Sequence, residues 1–332
     1  MLVLRRSSME RLRFVDVRGE SPHDSLCDTV YQGLSATPKR LPPRLFYDHD
    51  GSAIFEEITD LPEYYPTRTE QAILEAHADE IVRSMGDAID MIEFGSGSSR
   101  KTRVLIEAAL RRQKRLNYAP IDISRAFLHE TAKTLLDDYE GLSITAVAGE
   151  YFDAALNLPR SSCPRLILFL GSNIGNLAAD EAVEFLTRVR RAMEPEDRLL
   201  IGTDVVKEVG VLEAAYNDAQ GVTARFNLNV LRRINAELGG SFDLAQFRHR
   251  APYDREEQRI EMRLVSLCDQ RVYVEAVDTE FEFAQGETIV TEWSQKYTRE
   301  SFAALAEPAG LRIDRSWSDE KGWFTEYLLC PA

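Results

Sequence analysis

The chain lacks most of what marks a membrane, metal or nucleic-acid protein. No apolar run in it approaches the roughly 20 residues of a membrane helix, so no spanning segment is expected. Its opening, MLVLRRSSMERLRF, has neither a long apolar stretch nor a small-residue cleavage site, and reads as no secretory signal. Cysteine is scarce: Cys27, Cys163, Cys268 and Cys330 are scattered, none in a CxxC pair, and the five histidines are scattered too. No structural metal and a reduced, cytoplasmic setting are therefore expected. Positive charge is in deficit, with 40 Lys and Arg against 55 Asp and Glu and a formal net charge of −15. A nucleic-acid footprint needs a basic face, so that class is disfavoured and a soluble enzyme of small molecules fits better. No internal repeat or low-complexity tract is present. What remains is 332 residues, 44% hydrophobic, enough for one large or two modest domains.

The chain is organised around Met91–Arg103, MIEFGSGSSRKTR. Ile89 to Phe94 reads as a buried strand, Gly95-Ser-Gly97-Ser-Ser as a turn, and the segment from Lys101 as a helix. Strand, glycine turn and helix N-terminus form a nucleotide-binding hairpin of a doubly wound α/β sheet. Glycine lets backbone approach a ligand where a Cβ clashes, and the first helical turn offers unpaired N–H groups. Many α/β proteins carry such a turn with no ligand, so the motif alone does not decide.

Upstream, two adjacent prolines in Leu41–Asp48 stiffen the chain ahead of the aromatic-bearing YDHDGSAIFEEI. Thr67 and Glu70 fit a capping box, and Ile73, Leu74, His77, Ile81 and Met85 recur at helical spacing, which predicts a helix over 67–85. Downstream, strands are expected at 117–123, 143–148, 165–170 and 198–203, with helices at 125–138 and 180–193. That alternation implies right-handed βαβ units and a parallel sheet. The rhythm breaks over 205–296, where helical pieces at 211–218 and 230–238 precede β-type runs at 259–267 and 272–283. This reads as an α+β insertion. A helix at 299–309 and two strands, 312–318 and 323–329, close the chain as an antiparallel hairpin at one sheet edge.

The ligand of the turn follows from what is missing. A dinucleotide site wants G-x-G-x-x-G with an acid about 20 residues on; here position 100 is Arg, and the next acids at strand ends are Asp122 and Glu150. One acid for ribose hydroxyls and another near the adenine suit a nucleoside with little phosphate, and S-adenosylmethionine (SAM) has that make-up. With a closing hairpin in place of a second mononucleotide half, a SAM-dependent methyltransferase is favoured over a nicotinamide-dependent oxidoreductase. Residue by residue, blander readings stay open. Asp122, Glu150 and Asn176 also suit helix caps, Lys101 a solvated charge, Tyr216 and Met262 core positions, and Glu292 a solvated strand residue.

The combined motifs resemble the histidine Nα-methyltransferases of ergothioneine biosynthesis. The matching strings are FYDHDGSAIFEEITDLPEYYPTRTE (46–70), EFGSGSSRKTR (93–103), FLGSNIGN (169–176), GTDVVKE (202–208), AAYNDAQGVTARFN (214–227), RIEM (259–262) and TEWSQKY (291–297). They run in the family's order over nearly the whole chain beyond the first 40 residues. The resemblance implies a class I, Rossmann-like SAM methyltransferase sheet with an inserted α+β substrate-binding domain. The first is expected at 67–204 plus 297–332 and the second at 15–66 plus 205–296. The implied activity is SAM-dependent Nα-methylation of L-histidine, in three successive transfers to the trimethyl betaine hercynine. Another amino acid such as tryptophan, or binding without turnover, are the alternatives.

The resemblance also implies roles. SAM falls to Gly95, Lys101, Asp122 and the Gly149-Glu150 pair, where relatives often have Gly-Asp. Asn176 and Tyr216 take the α-carboxylate, as neutral donors suited to it. Glu292 and Ser294 face the imidazole, with Met262 packed against it and Tyr64 between cofactor and substrate. Tyr47 and Phe55 line the methyl-transfer site, and Tyr47 and Tyr64 are the candidate catalytic side chains, assisting proton loss by hydrogen bonding. No His or Lys base emerges from the motifs. Asn173 stands where threonine is common, and Trp293 is bulkier than expected but points away from its strand neighbours. A monomer acting on free L-histidine, with no nucleic acid and no membrane, is the expected setting.

Overall fold

The computed structural model describes residues 11–17, 26–156 and 158–332; most of the opening segment read for a secretory signal lies outside them. The chain begins with β1 (Leu12–Asp16), α1 (Leu26–Ser35), β2 (Lys39–Arg40), α2 (His49–Thr59) and α3 (Tyr65–Ser84). It continues through β3 (Asp90–Phe94), α4 (Thr102–Arg112), β4 (Leu116–Asp122), α5 (Arg125–Asp138), β5 (Leu142–Ala148), α6 (Tyr151–Ala155), β6 (Arg165–Phe169), α7 (Ala179–Ala192) and β7 (Arg198–Asp204). Then come α8 (Val209–Tyr216), α9 (Val222–Leu238), β8 (Phe247–Arg250), β9 (Tyr253–Asp254), β10 (Arg259–Ser266), β11 (Gln270–Val274), β12 (Thr279–Phe283) and β13 (Thr288–Gln295). α10 (Arg299–Ala306), β14 (Leu311–Ser318) and β15 (Phe324–Pro331) end it. The described residues form two compact units, one from Pro66–Val205 and Tyr297–Ala332 with β1, the other from the segment up to Tyr65 and Val206–Lys296.

The first unit is an eight-stranded sheet in the order β1-β5-β4-β3-β6-β7-β15-β14. All pairs from β1 to β7 are parallel, and β15 runs antiparallel to both β7 and β14. From β3 the chain builds outward to β5, then returns to β6 on the other side, so β3 and β6 flank the topological switch point where such sheets bind ligands. Burial on both faces explains the continuous apolar strands: all of β6 is buried, and its residues alternate between two cores. Met91, Leu166, Leu168 and Leu200 pack with α3, α4 and α5, whereas Ile92, Phe94, Ile167 and Phe169 pack with α7 and α10. At the foot of β6 the buried Arg165 guanidinium is held by Asp197 (Nε–Oδ2 2.9 Å) and the Ala192 carbonyl (2.6 Å). Asp197 also accepts the Arg165 and Glu194 N–H groups, fixing the turn into β7.

The second unit holds a sheet ordered β2-β13-β10-β8, with β9 paired to β10, and a separate β11-β12 hairpin. The α9 helix supplies its buried spine through Phe226, Val230, Leu231 and Ile234.

Several expectations need correction. Thr67 and Glu70 form no capping box: α3 starts at Tyr65, with Pro66 in the first turn where a missing N–H costs nothing. The Glu70 carboxylate is instead buried and bonded to the Gly171 N–H (2.6 Å). The helix expected at 230–238 begins at Val222, because Asp218 accepts the Val222 and Thr223 N–H groups (2.9 and 2.8 Å) and caps it from behind. The run 272–283 is a hairpin, broken by a 3-10 turn at Glu275–Val277. β1 and α1 arise from a polar stretch that carried no clear signal, and β1 lies in the first unit beside β5, so Val15 and Asp16 belong there and not with the insertion.

Breaking the Arg165 pair leaves a buried, uncompensated charge, which typically costs about 3–5 kcal/mol. Asp197→Ala is expected to lose stability on that scale in urea unfolding; a loss below about 1 kcal/mol, as for an exposed pair, contradicts the role given to Asp197.

Candidate functional site

The glycine turn leaves β3 at the switch point. Gly95 and Gly97 both lie in the left-handed region, at φ 67° and 48°. Gly95 admits no side chain: a Cβ there meets the Tyr151 hydroxyl at 2.6 Å and the Asn173 amide at 3.2 Å. The Gly95 and Ser96 N–H groups both reach the Ile121 carbonyl of β4 (2.8 and 3.1 Å), and Gly97 N–H reaches Asp122 Oδ2 (3.0 Å). Asp122 thus braces the turn with one oxygen and takes the Ser124 N–H with the other (2.9 Å). Burial pushes its carboxyl above the ordinary range, against the pull of those N–H donors.

Beneath the turn, Glu93 of β3 is buried and bonded by Thr102 Oγ1 (2.6 Å) and by the Tyr118 hydroxyl, which also pairs with Ser99 Oγ (3.0 Å). Burial raises the Glu93 carboxyl to about 7. Lys101 is not a solvated charge. It stands at the N-cap of α4, and its ammonium is paired with Glu70. Glu150 occupies the N-cap position of α6, but its side chain does not cap the helix. Gly149 N–H reaches the Asp122 carbonyl (3.1 Å). Asn176 closes a 3-10 turn after β6 and is not the cap of α7, which is Ala178, its N–H taken by Glu181 (2.8 Å). Asn173 spends its amide on the Leu170 carbonyl (2.9 Å) beside the glycine turn.

Two observations fit this turn to a nucleoside-bearing cofactor such as SAM. The Ser96 hydroxyl is buried with no hydrogen-bond partner, and a Cβ built on Gly97 meets nothing within 4 Å, so open space adjoins the second glycine. An orphaned buried donor beside free room is what a bound ligand resolves.

The second unit gathers the other group. Tyr47, Phe55, Tyr64 and Tyr216 follow one another edge to face, at centroid distances of 5.8, 6.4 and 6.1 Å. Phe226 of α9 backs Tyr47 and Phe55 (5.9 and 5.8 Å) and stacks on Phe46 (4.4 Å). On the sheet, Met262 of β10 lies opposite Glu292 of β13, so the two share a face, and Ser294 follows two residues on. The Ser294 hydroxyl pairs with Tyr216 Oη (2.7 Å), and the buried Lys296 ammonium reaches both (2.7 and 3.1 Å). Tyr216 and Ser294, expected at opposite ends of an amino acid, therefore form one polar cluster. Glu292 is buried, not solvated; burial raises its carboxyl to about 7, while the Lys296 charge pulls it down. Trp293 faces away, between the guanidinium groups of Arg40 (3.5 Å) and Arg259 (4.0 Å).

Sequence reasoning missed the supports. Asp48 caps α2 through Gly51 N–H (2.6 Å) and takes the Asn229 amide (2.9 Å), tying the helix of Phe55 to α9. Asn227 bonds Thr291 Oγ1 (2.7 Å) and His249 Nδ1 (2.9 Å), and His249 Nε2 meets the Tyr216 carbonyl (2.8 Å). Nδ1 there accepts from the amide and Nε2 donates, so the ring is the neutral tautomer, and burial lowers its pKa. Asn227, the last residue of GVTARFN, thus braces the neighbourhood of both sites, through Thr291 beside Glu292 and through His249 to the Tyr216 carbonyl. Lys296 was legible, since it continues the two-residue period of Glu292 and Ser294. Glu326 carried no local signal and Glu70 a misleading one, because their partners are far away in sequence.

The profile of a protein family described as "Histidine-specific methyltransferase, SAM-dependent" matches residues 26–331. The chain is 43% identical over 305 residues to a histidine N-alpha-methyltransferase of Mycolicibacterium smegmatis, covering 92% of this chain and 94% of that one. It is 44% identical over 305 residues to the protein of the same name from Mycobacterium tuberculosis, with the same coverage. It is 33% identical over 290 residues to ergothioneine biosynthesis protein 1 of Neurospora crassa, covering 85% of this chain and 32% of that longer one.

Glu292 carries a pH prediction. Its carboxyl holds a proton more tightly when folded (about 7) than at the ordinary value of 4.5, so the linked stability is full below about 4.5 and lost as pH rises through about 7. Glu292→Gln removes that loss. Relative to wild type, its urea midpoint is expected to be higher above neutral pH, by up to about 3 kcal/mol in stability, with the gap closing in acid. A gap that stays constant across pH contradicts a buried, titrating Glu292.

Proposed function

The chain belongs to the histidine-specific, SAM-dependent methyltransferase family, and we propose that it methylates the α-amine of L-histidine three times, to the trimethyl betaine hercynine, as a step in making ergothioneine. The observation that carries the choice of substrate is the buried Glu292, set on one sheet face with Met262 and Ser294 and next to the Lys296 charge. A buried acid in an otherwise apolar and hydroxyl-lined setting calls for a partner that donates N–H, and an imidazole does so while packing flat against Met262. Tryptophan, whose indole is larger and cannot take up a proton to become a cation, satisfies the acid less well.

Gly95, Lys101, Asp122, Gly149 and Glu150 are the residues proposed to hold SAM, which supplies a methyl group already activated by its sulfonium. The rest falls to positioning. Glu292 and Ser294 hold the ring, Met262 packs on it, and Tyr216 donates to the carboxylate. Asn176 shares that task on the strength of its GSNIGN motif. Phe55 and Tyr47 exclude water around the amine, and Tyr47 and Tyr64 offer hydroxyls that accept from it while its proton leaves to solvent. The faces of these rings accommodate the fixed cation that accumulates with each methyl. We place the protein in the cytoplasm, as a monomer acting on free histidine without nucleic acid or membrane. Four free thiols and a net charge of −15 support that setting, and no helix among the described residues is long and apolar enough to cross a membrane.

Mass spectrometry of the protein incubated with SAM and each common amino acid tests the reading. Histidine is expected to gain one, two and then three methyl groups; preferential methylation of tryptophan or any other amino acid overturns it. Glu292→Ala is expected to weaken histidine binding by about 1–3 kcal/mol, the cost of an unpaired buried N–H. Unchanged affinity removes Glu292 from the ring. Asp122→Ala is expected to weaken SAM binding in calorimetry, and wild-type affinity rejects its ribose role.

A further inference from the structure

Three buried acids surround one lysine under the cofactor turn, and the roles proposed above use only the lysine. We infer that Glu70 is the positioning residue of that turn: one carboxylate oxygen holds the Lys101 ammonium, the other the Gly171 N–H, and Glu326 closes the cluster from behind. The inference rests on the assignment of Lys101 to SAM.

The geometry is specific. Glu70 and Glu326 are both fully buried, on α3 and β15. Glu70 Oε1 accepts the Gly171 N–H at 2.6 Å and Oε2 pairs with Lys101. The single side chain thereby joins the helix that follows the β3 turn to the loop that follows β6, the two sides of the switch point. Space for it exists because position 202 is glycine: a Cβ there meets Glu70 Oε1 at 2.2 Å and Glu326 Oε1 at 3.0 Å. Gly202 is the β7 residue opposite Glu326, and Trp317 is its β14 neighbour, so neither flanking strand places a charge there.

No N–H or cationic donor reaches either oxygen of Glu326, and the carboxyl faces that of Glu70, an arrangement that two carboxylates resist and that a proton between them relieves. The groups that face it are Glu70 and Lys101; burial and the Glu70 charge raise its pKa well above the ordinary value, and Lys101 only partly opposes them. Glu93 adds its field to the same lysine and to Glu70. A neutral Glu326 leaves Glu70 as the sole anion directly paired with Lys101, so the ammonium is steered by one partner. Ionisation of Glu326 adds a second anion behind the first and draws Lys101 away from the turn.

The test is calorimetry of SAM with full-length wild type, Glu70→Gln, Glu326→Gln and Lys101→Met, from neutral to alkaline pH, with histidine kinetics alongside. Glu70→Gln is expected to bind SAM about tenfold to a hundredfold more weakly, with kcat at saturating SAM and the KM for histidine near wild type. A merely structural role moves all of these together. Wild-type affinity is expected to fall at alkaline pH as Glu326 ionises, and Glu326→Gln, the uncharged isostere, is expected to bind like wild type at neutral pH and to escape the alkaline fall. Wild-type SAM affinity in Glu70→Gln, or an unaltered alkaline fall in Glu326→Gln, overturns the inference. If Glu70→Gln does not fold, the Glu326→Gln pH series decides alone. Lys101→Met separates the two levels. Wild-type SAM affinity there refutes the assignment of Lys101 and the inference with it, whereas lost affinity together with an unaffected Glu70→Gln refutes the inference alone.

Discussion

An acid buried among apolar side chains either finds positive charge and N–H donors or gives up its own charge. That constraint recurs in both units and organises each. In the first, Glu70 finds Lys101 and the Gly171 N–H, while Glu93 and Glu326 are pushed towards the neutral form by burial. In the second, Glu292 is pushed up to about 7 with Lys296 as its opposing charge. The two lysines serve the same end: each keeps an acid usable in a place where it is otherwise expensive.

The sheets decide where those acids sit. In the large sheet, β3 and β6 part at the reversal of strand order, and the chain leaves both by a left-handed residue, Gly95 after β3 and Gly171 after β6. Their N–H groups are taken up on the two sides of the gap, those of Gly95 and Ser96 by the Ile121 carbonyl and that of Gly171 by Glu70. In the small sheet, the two-residue period of β13 places Glu292 and Ser294 on one face and sends Trp293 to the other, between two arginines. The bulk of Trp293 therefore never enters the polar cluster. The buried acid and the arginine-stacked indole are separated by the pleat of a single strand.

How much of this was legible from residues follows from the range of each interaction. The parallel strands, the glycine turn, Asp122 at the end of β4 and the closing hairpin all carry local signals, namely apolar runs and punctuation, and they stand where expected. The early start of α9 was missed because its cap, Asp218, acts from four residues upstream of Val222 and the polar GVTARFN string hides an internal face. Glu70 was misread as a capping residue because its spacing to Thr67 fits a box, whereas its real partners are Lys101 and Gly171, brought in by the sheet. Lone side chains such as Tyr216, Met262 and Glu292 gained meaning only jointly, through the motif resemblance. The structure supplies the physical content, a shared strand face and one hydroxyl–ammonium cluster.

The central claim is that a buried acid, Glu292, recognises the ring of histidine. Infrared difference spectroscopy of histidine binding near neutral pH tests it most directly. A part-protonated carboxyl that receives an imidazole N–H becomes ionised. The account therefore predicts loss of a protonated-carboxyl band and gain of carboxylate on histidine addition, both absent in Glu292→Gln. Histidine bound at saturation with no change in any carboxyl band, or with the same change in Glu292→Gln, contradicts it.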